Sequence, residues 1–341
     1  MPTVAAFDSK EFKREKEGII KFYTPFGCGV RISKPKEFAS RYIESLDRLF
    51  KDFSIEPVCC CFSSSEYFKK VGRPKTYLLS EELLKLIADL IDSVYFSYMI
   101  FPSKNIPKVE VGGYKCPKKE IDTFDFLRKT SAHYSYITAW TYLGIHTRVS
   151  DLILIDSFSG KRTSAWDDLL SKTRPIIYPH GDECNPFIST ADMIASLVDK
   201  KMWDNYLRLD PDNLRKVLSN YSFKVDVNFI DPRVLHNIRW HSDEQLDLST
   251  YWAKPTVFLK ADGYNTGDIK KLPIYPKATY LARKLNGGVQ GFDKSIDSSK
   301  IKDGDIFVYA GKEAETLAIT LRDMYNIQIF AFRELKEKKT L

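Results

Sequence analysis

The stretch DLILIDSFSG, residues 151–160, constrains the fold more than any other part of the chain. Four apolar residues run without alternation into Asp156, and Ser-Phe-Ser-Gly turn chemistry follows. A short, unbroken apolar run bounded by turn residues reads as a strand buried on both faces. Such strands belong to parallel or mixed sheets with helices packed on either side. In sheets of that kind, ligands bind beyond the carboxyl ends of the strands, which is where Asp156 stands.

The rest of the first ~205 residues fits such a sheet. TVAAF is short and apolar and ends at Asp8, so it reads as a buried first strand. The charged stretch KEFKREKEG reads as a solvated connection. IIKFY and CGVRI, broken by Pro25 and Gly27, then complete a three-stranded antiparallel meander. PKEFASRYIESLDRLFKDF has helical spacing, with Phe38, Tyr42, Leu46, Leu49, Phe50 and Phe53 on one face. PVCCCF reads as a fourth strand, residues 80–93 as a helix capped by Ser80, and VYFSYMIF as a further strand. Residues 103–130 are polar and read as an insertion or long loop. HYSYITAWTYLGIH and SAWDDLLSKT read as helices, and RPIIYPHGDE as a short strand entering a loop. STADMIASLVDKKMWDNYL reads as a closing helix capped by Ser189 or Thr190, with Asp192 in its first turn.

A chain of 341 residues has the length of two domains. Residues 208–245 read as a connector with short helices. PTVFLKAD, DGDIFVYAG and IQIFAFREL follow as strands, with the helix KEAETLAITLRDMY between the last two. The expectation is therefore an α/β protein: a mixed sheet flanked by helices over 1–207, the connector, and a smaller α/β domain over 246–341. GGVQG at 287–291 lacks the GxGxxG spacing and reads as a flexible loop.

Composition excludes several classes. Hydrophobic residues make up 43% and aromatics 13%, which is incompatible with a mostly disordered chain. No apolar run reaches the length of a membrane-spanning helix. The opening residues lack a basic segment followed by an apolar one, so a secretory signal is not expected. Cysteines stand at 28, 59, 60, 61, 116 and 184, without a CxxC pair, which argues against a zinc ribbon or a disulfide scaffold. The expectation is a cytoplasmic protein with no membrane partner. The 52 basic against 45 acidic residues leave a net charge of +7, mild for a nucleic-acid-binding chain but compatible with one.

The placement of the acids is more informative than the net charge. Asp8 and Asp156 end apolar runs, Asp182 and Glu183 lie in the HGDE loop, and Asp192 lies in the closing helix. Each has an ordinary structural explanation, such as a turn residue or a helix-dipole complement. A mixed sheet, however, places its first strand beside the later parallel ones, so these carboxylates converge at one sheet edge. Clustered carboxylates repel unless they are protonated or share a cation. Three or four oxygen ligands suit Mg²⁺ or Mn²⁺, and two such ions can clamp a phosphodiester. Lys161 and Arg162, just after Asp156, are candidates for contact with a nucleic-acid backbone.

This order of elements resembles the ribonuclease H-like superfamily of nucleases. AAFDSKEF resembles its opening strand with Asp, LILIDSFSG the strand carrying its second Asp, and STADMIASLVDKK the final helix of the uncharacterised DUF3800 group. The resemblance covers at most residues 1–205. It implies Asp8, Asp156 and Asp192 as metal ligands, with Asp182 or Glu183 completing the set, in a Mg²⁺- or Mn²⁺-dependent nuclease acting on RNA or DNA. The DUF3800 opening has Glu-Ser-Gly after its Asp, whereas Ser9, Lys10 and Glu11 follow Asp8 here. The alternative is a non-catalytic module on the same scaffold, binding nucleic acid or, through the C-terminal domain, a protein partner.

Overall fold

The computed structural model describes residues 3–16, 19–54, 71–98, 101–102, 110–111, 114–115, 134–146, 151–156, 161–178, 181–205, 207, 209–230, 240–245, 254–272, 275, 278–279, 282, 287–293, 297–302, 305–325 and 327–331. In chain order the first half comprises β1 (Val4–Lys16), β2 (Ile19–Ile32), α1 (Pro35–Asp52), α2 (Arg73–Ile87), β3 (Ser93–Tyr98), β4 (Phe101–Pro102), β5 (Glu110–Val111), β6 (Tyr114–Lys115), α3 (Tyr134–Ile145), β7 (Leu152–Asp156), β8 (Lys161–Thr163), α4 (Ser164–Lys172), β9 (Ile176–Tyr178), α5 (Gly181–Cys184) and α6 (Pro186–Asp204). α7 (Pro211–Val217), β10 (Lys224–Phe229), β11 (Trp240–Gln245), β12 (Thr256–Ala261), β13 (Gly288–Gly291), β14 (Ile306–Ala310), α8 (Lys312–Met324) and β15 (Gln328–Ala331) follow.

The main sheet is mixed, with strand order β10-β3-β2-β1-β7-β9 and β4 attached to β2. β3, β2 and β1 are antiparallel neighbours, whereas β1, β7 and β9 are parallel. The stretch read as a connector supplies α7 and β10, and β10 pairs in parallel with β3 at the edge of this sheet. Strand periodicity assigns the two faces. Val4, Ala6, Cys28, Val30 and Ile32 join the core formed with α1, α2 and α6. Phe7 points the other way and meets Tyr142 of α3 edge-on at 5.3 Å.

The meander differs from its sequence reading. KEFKREK is not a loop: β1 continues to Lys16 and pairs with β2, so IIKFY and CGVRI form one strand across Pro25 and Gly27. Backbone pairing needs no apolar side chains, so a charged strand gives no hydrophobic signal. The third meander strand is β3, after two helices. Gly27 serves close packing, since a Cβ there would stand 1.7 Å from Thr138 Oγ1 on α3.

Two helix starts also differ. α2 begins at Arg73 behind Gly72, whose φ is +82°, with Pro in its first turn, and Ser80 is a buried interior residue. α6 begins at Pro186, and its N-cap is Asn185, whose Oδ1 accepts from the backbone N–H of Phe187 at 3.0 Å and of Ile188 at 3.2 Å. Pro at the first helical position and Asn before it satisfy the start better than Ser189 or Thr190. PVCCCF and most of the 103–130 insertion lie outside the described residues.

The second sheet is all parallel, in the order β13-β12-β14-β15, with α8 crossing between β14 and β15. GGVQG is not a loop but contains strand β13, paired with β12. Its glycines permit close contact: a Cβ on Gly287 would stand 1.9 Å from the Pro255 carbonyl oxygen, and one on Gly291 2.6 Å from Thr266 Cγ2. Arg322 of α8 reaches Glu44 of α1 at 3.3 Å, joining the two halves.

Gly27→Ala should destabilise the protein by about 1–3 kcal/mol, because the added methyl forces β2 and α3 apart. The check is the midpoint of chemical unfolding; an unchanged midpoint would show that the helix does not rest on this strand.

Candidate functional site

The parallel ladder between β1 and β7 pairs Phe7 with Ile155, so the next residues, Asp8 and Asp156, stand side by side where that ladder ends. Asp156 ends β7, whereas Asp8, read from the sequence as the end of the first strand, lies inside β1, which runs on to Lys16. Opposite Asp8, on β2, is Cys28. Asp8 shares its sheet face with Val4 and Ala6, the face that α6 covers. Asp192 lies on α6, and its Oδ1 is 2.7 Å from the ammonium of Lys10, two residues beyond Asp8 on β1. Asp192 is in the second turn, so the helix-dipole explanation does not account for it. The backbone N–H of Gly181, the first residue of α5, donates to Asp156 Oδ1 at 2.7 Å, which ties the HGDE segment to the end of β7. A Cβ on Gly181 would stand 2.5 Å from Ile188 Cδ1 and 2.9 Å from Tyr178 Cβ, so a larger residue there would have to displace these side chains.

Asp192, Asp156 and Asp182 all act on Asp8. Asp8 is buried, and its carboxyl is held well above the usual carboxylate range, first by burial, then by the negative charges of Asp192 and Asp156. Lys10 opposes these and Asp182 adds to them. The Cys28 thiol is pushed up by burial and by Asp8 and Asp192, so it stays protonated and is no nucleophile. The other buried acids differ. Asp151 accepts from the Tyr142 hydroxyl at 2.8 Å and Arg31 at 3.3 Å. Asp305 accepts from the Thr256 and Lys302 backbone N–H groups, both at 2.8 Å. Those acids are stabilised by donors, whereas Asp8 is surrounded by like charge.

Asp199 was not singled out in the sequence. It lies seven residues after Asp192 on α6, a spacing that returns to the same helix face. Burial pushes its carboxyl from 3.8 up to about 6, offset by Lys10. The i, i+7 repeat of Asp in ADMIASLVD was the available signal.

Four aspartates contributed by β1, β7, the 181–184 turn and α6 supply hard anionic oxygens and a negative local charge. In chemistry and charge this set suits Mg²⁺ or Mn²⁺. Among the described residues, no three ligating side chains close on a single point. β8, which carries Lys161 and Arg162, pairs with β11; the side chains of Lys161, Arg162 and Glu183 lie outside the described residues, as does His180. In the second sheet, the α8 N-terminus is filled from within, because Asp262 accepts from the backbone N–H of Glu313 and Ala314, both at 2.9 Å. That leaves no anion cradle at the β14–α8 junction.

The raised acids give two stability tests in chelator. Asp199 contributes stability that is fully present below about pH 4 and is lost as pH rises through about 6. Asp199→Asn should therefore stabilise the protein at pH 8 by about 2–3 kcal/mol, with the gain vanishing towards pH 4. Melting curves at both pH values check this. Asp8→Asn should also raise the Tm at neutral pH, by about 2 °C for each kcal/mol of repulsion relieved; a lower Tm would show that Asp8 is stabilised by its neighbours.

Among the described residues, no helix is long and apolar enough to cross a membrane. No solved structure matches the chain. An uncharacterised protein of Archaeoglobus fulgidus is 26% identical over 327 residues, spanning 93% of this chain and 95% of that protein. Residues 5–248 match the family described as "Domain of unknown function (DUF8203)", a span that takes in the main sheet from Ala5 onward, the aspartate cluster and β11. The chain therefore belongs to the DUF8203 family.

Proposed function

We propose that the protein is a Mg²⁺- or Mn²⁺-dependent nuclease built on a ribonuclease H-like sheet and that Asp8, Asp156 and Asp192, with Asp182 or Glu183, hold the ion. The observation that carries this reading is the placement of Asp8: a buried carboxylate beside three others, in a central strand at the point where its parallel ladder with β7 ends. Such an arrangement is unfavourable without a cation and becomes favourable with one. The strand arrangement supports the same reading, since an antiparallel meander sets β1 beside parallel β7 and so joins the first-strand Asp to the later one.

When bound, the ion would lower the pKa of a coordinated water and offset the phosphate charge. The chain's own residues have separable parts. Asp8 supplies the buried oxygens that make the point strongly negative. Asp156 is fixed at the end of β7 by the Gly181 N–H. Lys161 and Arg162 would contact the substrate backbone.

A second reading is favoured by one contact, the ion pair of Lys10 with Asp192. If that ammonium is permanent, the cluster is neutralised from within, and the protein is a nucleic-acid- or partner-binding module.

Labelled single- and double-stranded RNA and DNA, incubated with Mn²⁺ and wild type or Asp156→Asn, separate the two. The nuclease reading expects cleavage by wild type, reduced more than about a hundredfold in the variant, because even outer-shell partners of a metal contribute 10–100-fold. Retained binding without cleavage of any substrate favours the module.

A further inference from the structure

We propose that β10 is a self-recognition edge: it pairs with β10 of a second copy of this chain, antiparallel about a two-fold axis at Val227, and so joins two main sheets into one.

The main sheet ends in β9, of three residues, on one side and in β10, of six, on the other. β10 pairs with β3 from Lys224 to Phe229 without a shift of register, so its backbone is regular along its whole length. The backbone N–H of Lys224 donates to the Asp92 carbonyl, and that of Ile230 to the Tyr98 carbonyl. The even-numbered residues therefore turn their backbone groups to β3, and Val225, Val227 and Phe229 turn theirs outward. Among the described residues, no strand pairs with that outer side. Sheet edges are ordinarily closed to other chains by Pro, by a bulge or by Lys side chains. β10 has no Pro and no bulge, and its one Lys, Lys224, is paired within the strand, 2.8 Å from Asp226. Phe229 rests on Tyr98 at 5.4 Å and is still 43% exposed.

The sequence of this edge, KVDVNF, fits its own reversed copy. A two-fold axis at Val227 sets Val227 against itself, Val225 against Phe229 and Asp226 against Asn228, and each mixed pair occurs twice. Val225, Val227 and Phe229, whose backbone groups point outward, make the hydrogen-bonded pairs; Asp226 and Asn228 make the other pairs, in which side chains stand closest. One face of the junction is then wholly apolar and covers Phe229. On the other face each carboxylate meets an amide. The Asn228 amide has two N–H groups, so its hydrogen bond with Tyr95 leaves at least one for that carboxylate. The two Lys224 side chains lie at opposite ends of the junction, and no like charges oppose each other. An axis at Val225 would set Lys224 against Asp226 but leave Phe229 beyond the end of the opposing strand, so Val227 is the better centre. Each β10 has one outer side, and the pairing closes at two copies.

The test is analytical ultracentrifugation of the full chain across the micromolar range, at low and high salt, with melting curves confirming that each variant is folded. Wild type should dimerise. Val227→Pro removes the outward N–H of each copy at the axis and leaves the pairing with β3 intact, a place where edge strands accept proline. It should weaken the dimer about thirtyfold or more, as the loss of two hydrogen bonds implies. Asn228→Asp sets carboxylate against carboxylate twice and should weaken the dimer about tenfold at low salt and less at high salt. Adding Asp226→Asn to that variant exchanges the two partners and should restore the wild-type affinity to within about twofold. That rescue separates pairing across the axis from a general loss of stability, and it decides the matter even where Val227→Pro fails to fold. A wild type that stays monomeric at every concentration overturns the proposal. So does a dimer that Asn228→Asp leaves unchanged, or one that the double variant does not rescue.

Discussion

The parallel ladder joining Val4–Phe7 to Leu152–Ile155 is the contact on which the rest of the main sheet is organised. It joins segments almost 150 residues apart and makes β1 a central strand, with the antiparallel meander on one side and β7 and β9 on the other. It also sets the register that brings Asp8 beside Asp156. A one-residue slip would reverse the two faces, sending Asp8 and Lys10 towards α3 and Phe7 towards α6. The packing of Phe7 against Tyr142 and of Ala6 and Cys28 beneath α6 holds against that slip.

Charge is handled in two ways within one molecule. Asp151, Asp262 and Asp305 are surrounded by donors and serve as structural acceptors at loop and helix junctions. Asp8 is surrounded by acids and answered by Lys10. Asp156, one of the acids beside Asp8, stands at an element end as the structural acceptors do, so position alone does not separate the two kinds. What does so is whether the neighbouring groups are N–H donors or other carboxylates.

That distinction marks how far the sequence could be read. Asp156 was visible because an unbroken apolar run that ends in an acid is a strong signal for a buried strand end; the same signal picked out Asp8, although β1 runs on beyond it to Lys16. The closing helix was visible from its apolar spacing, but its start was placed late. Asn185 and Pro186 give a stronger start than Ser189, and shifting the start moves Asp192 out of the first turn. The charged half of β1 and the glycine-rich β13 were missed for one reason: backbone hydrogen bonding forms them, and side-chain pattern does not report it. Lys10 was visible only as a departure from the DUF3800 opening, since its partner lies far along the chain on α6.

The central position of β1 has a consequence for how the chain comes to its fold. Until residues 152–204 have been synthesised, β1 has β2 on one side and an open edge on the other, beneath an apolar face that α6 has yet to cover. Exposed edges of that kind pair readily with other chains. The sequence farther along β1, KEFKREK, is charged, and charge beside an open edge works against such pairing. The same charged sequence that hides the strand from a hydrophobicity reading therefore lies next to the four residues, Val4–Phe7, whose edge stays open until β7 pairs with them.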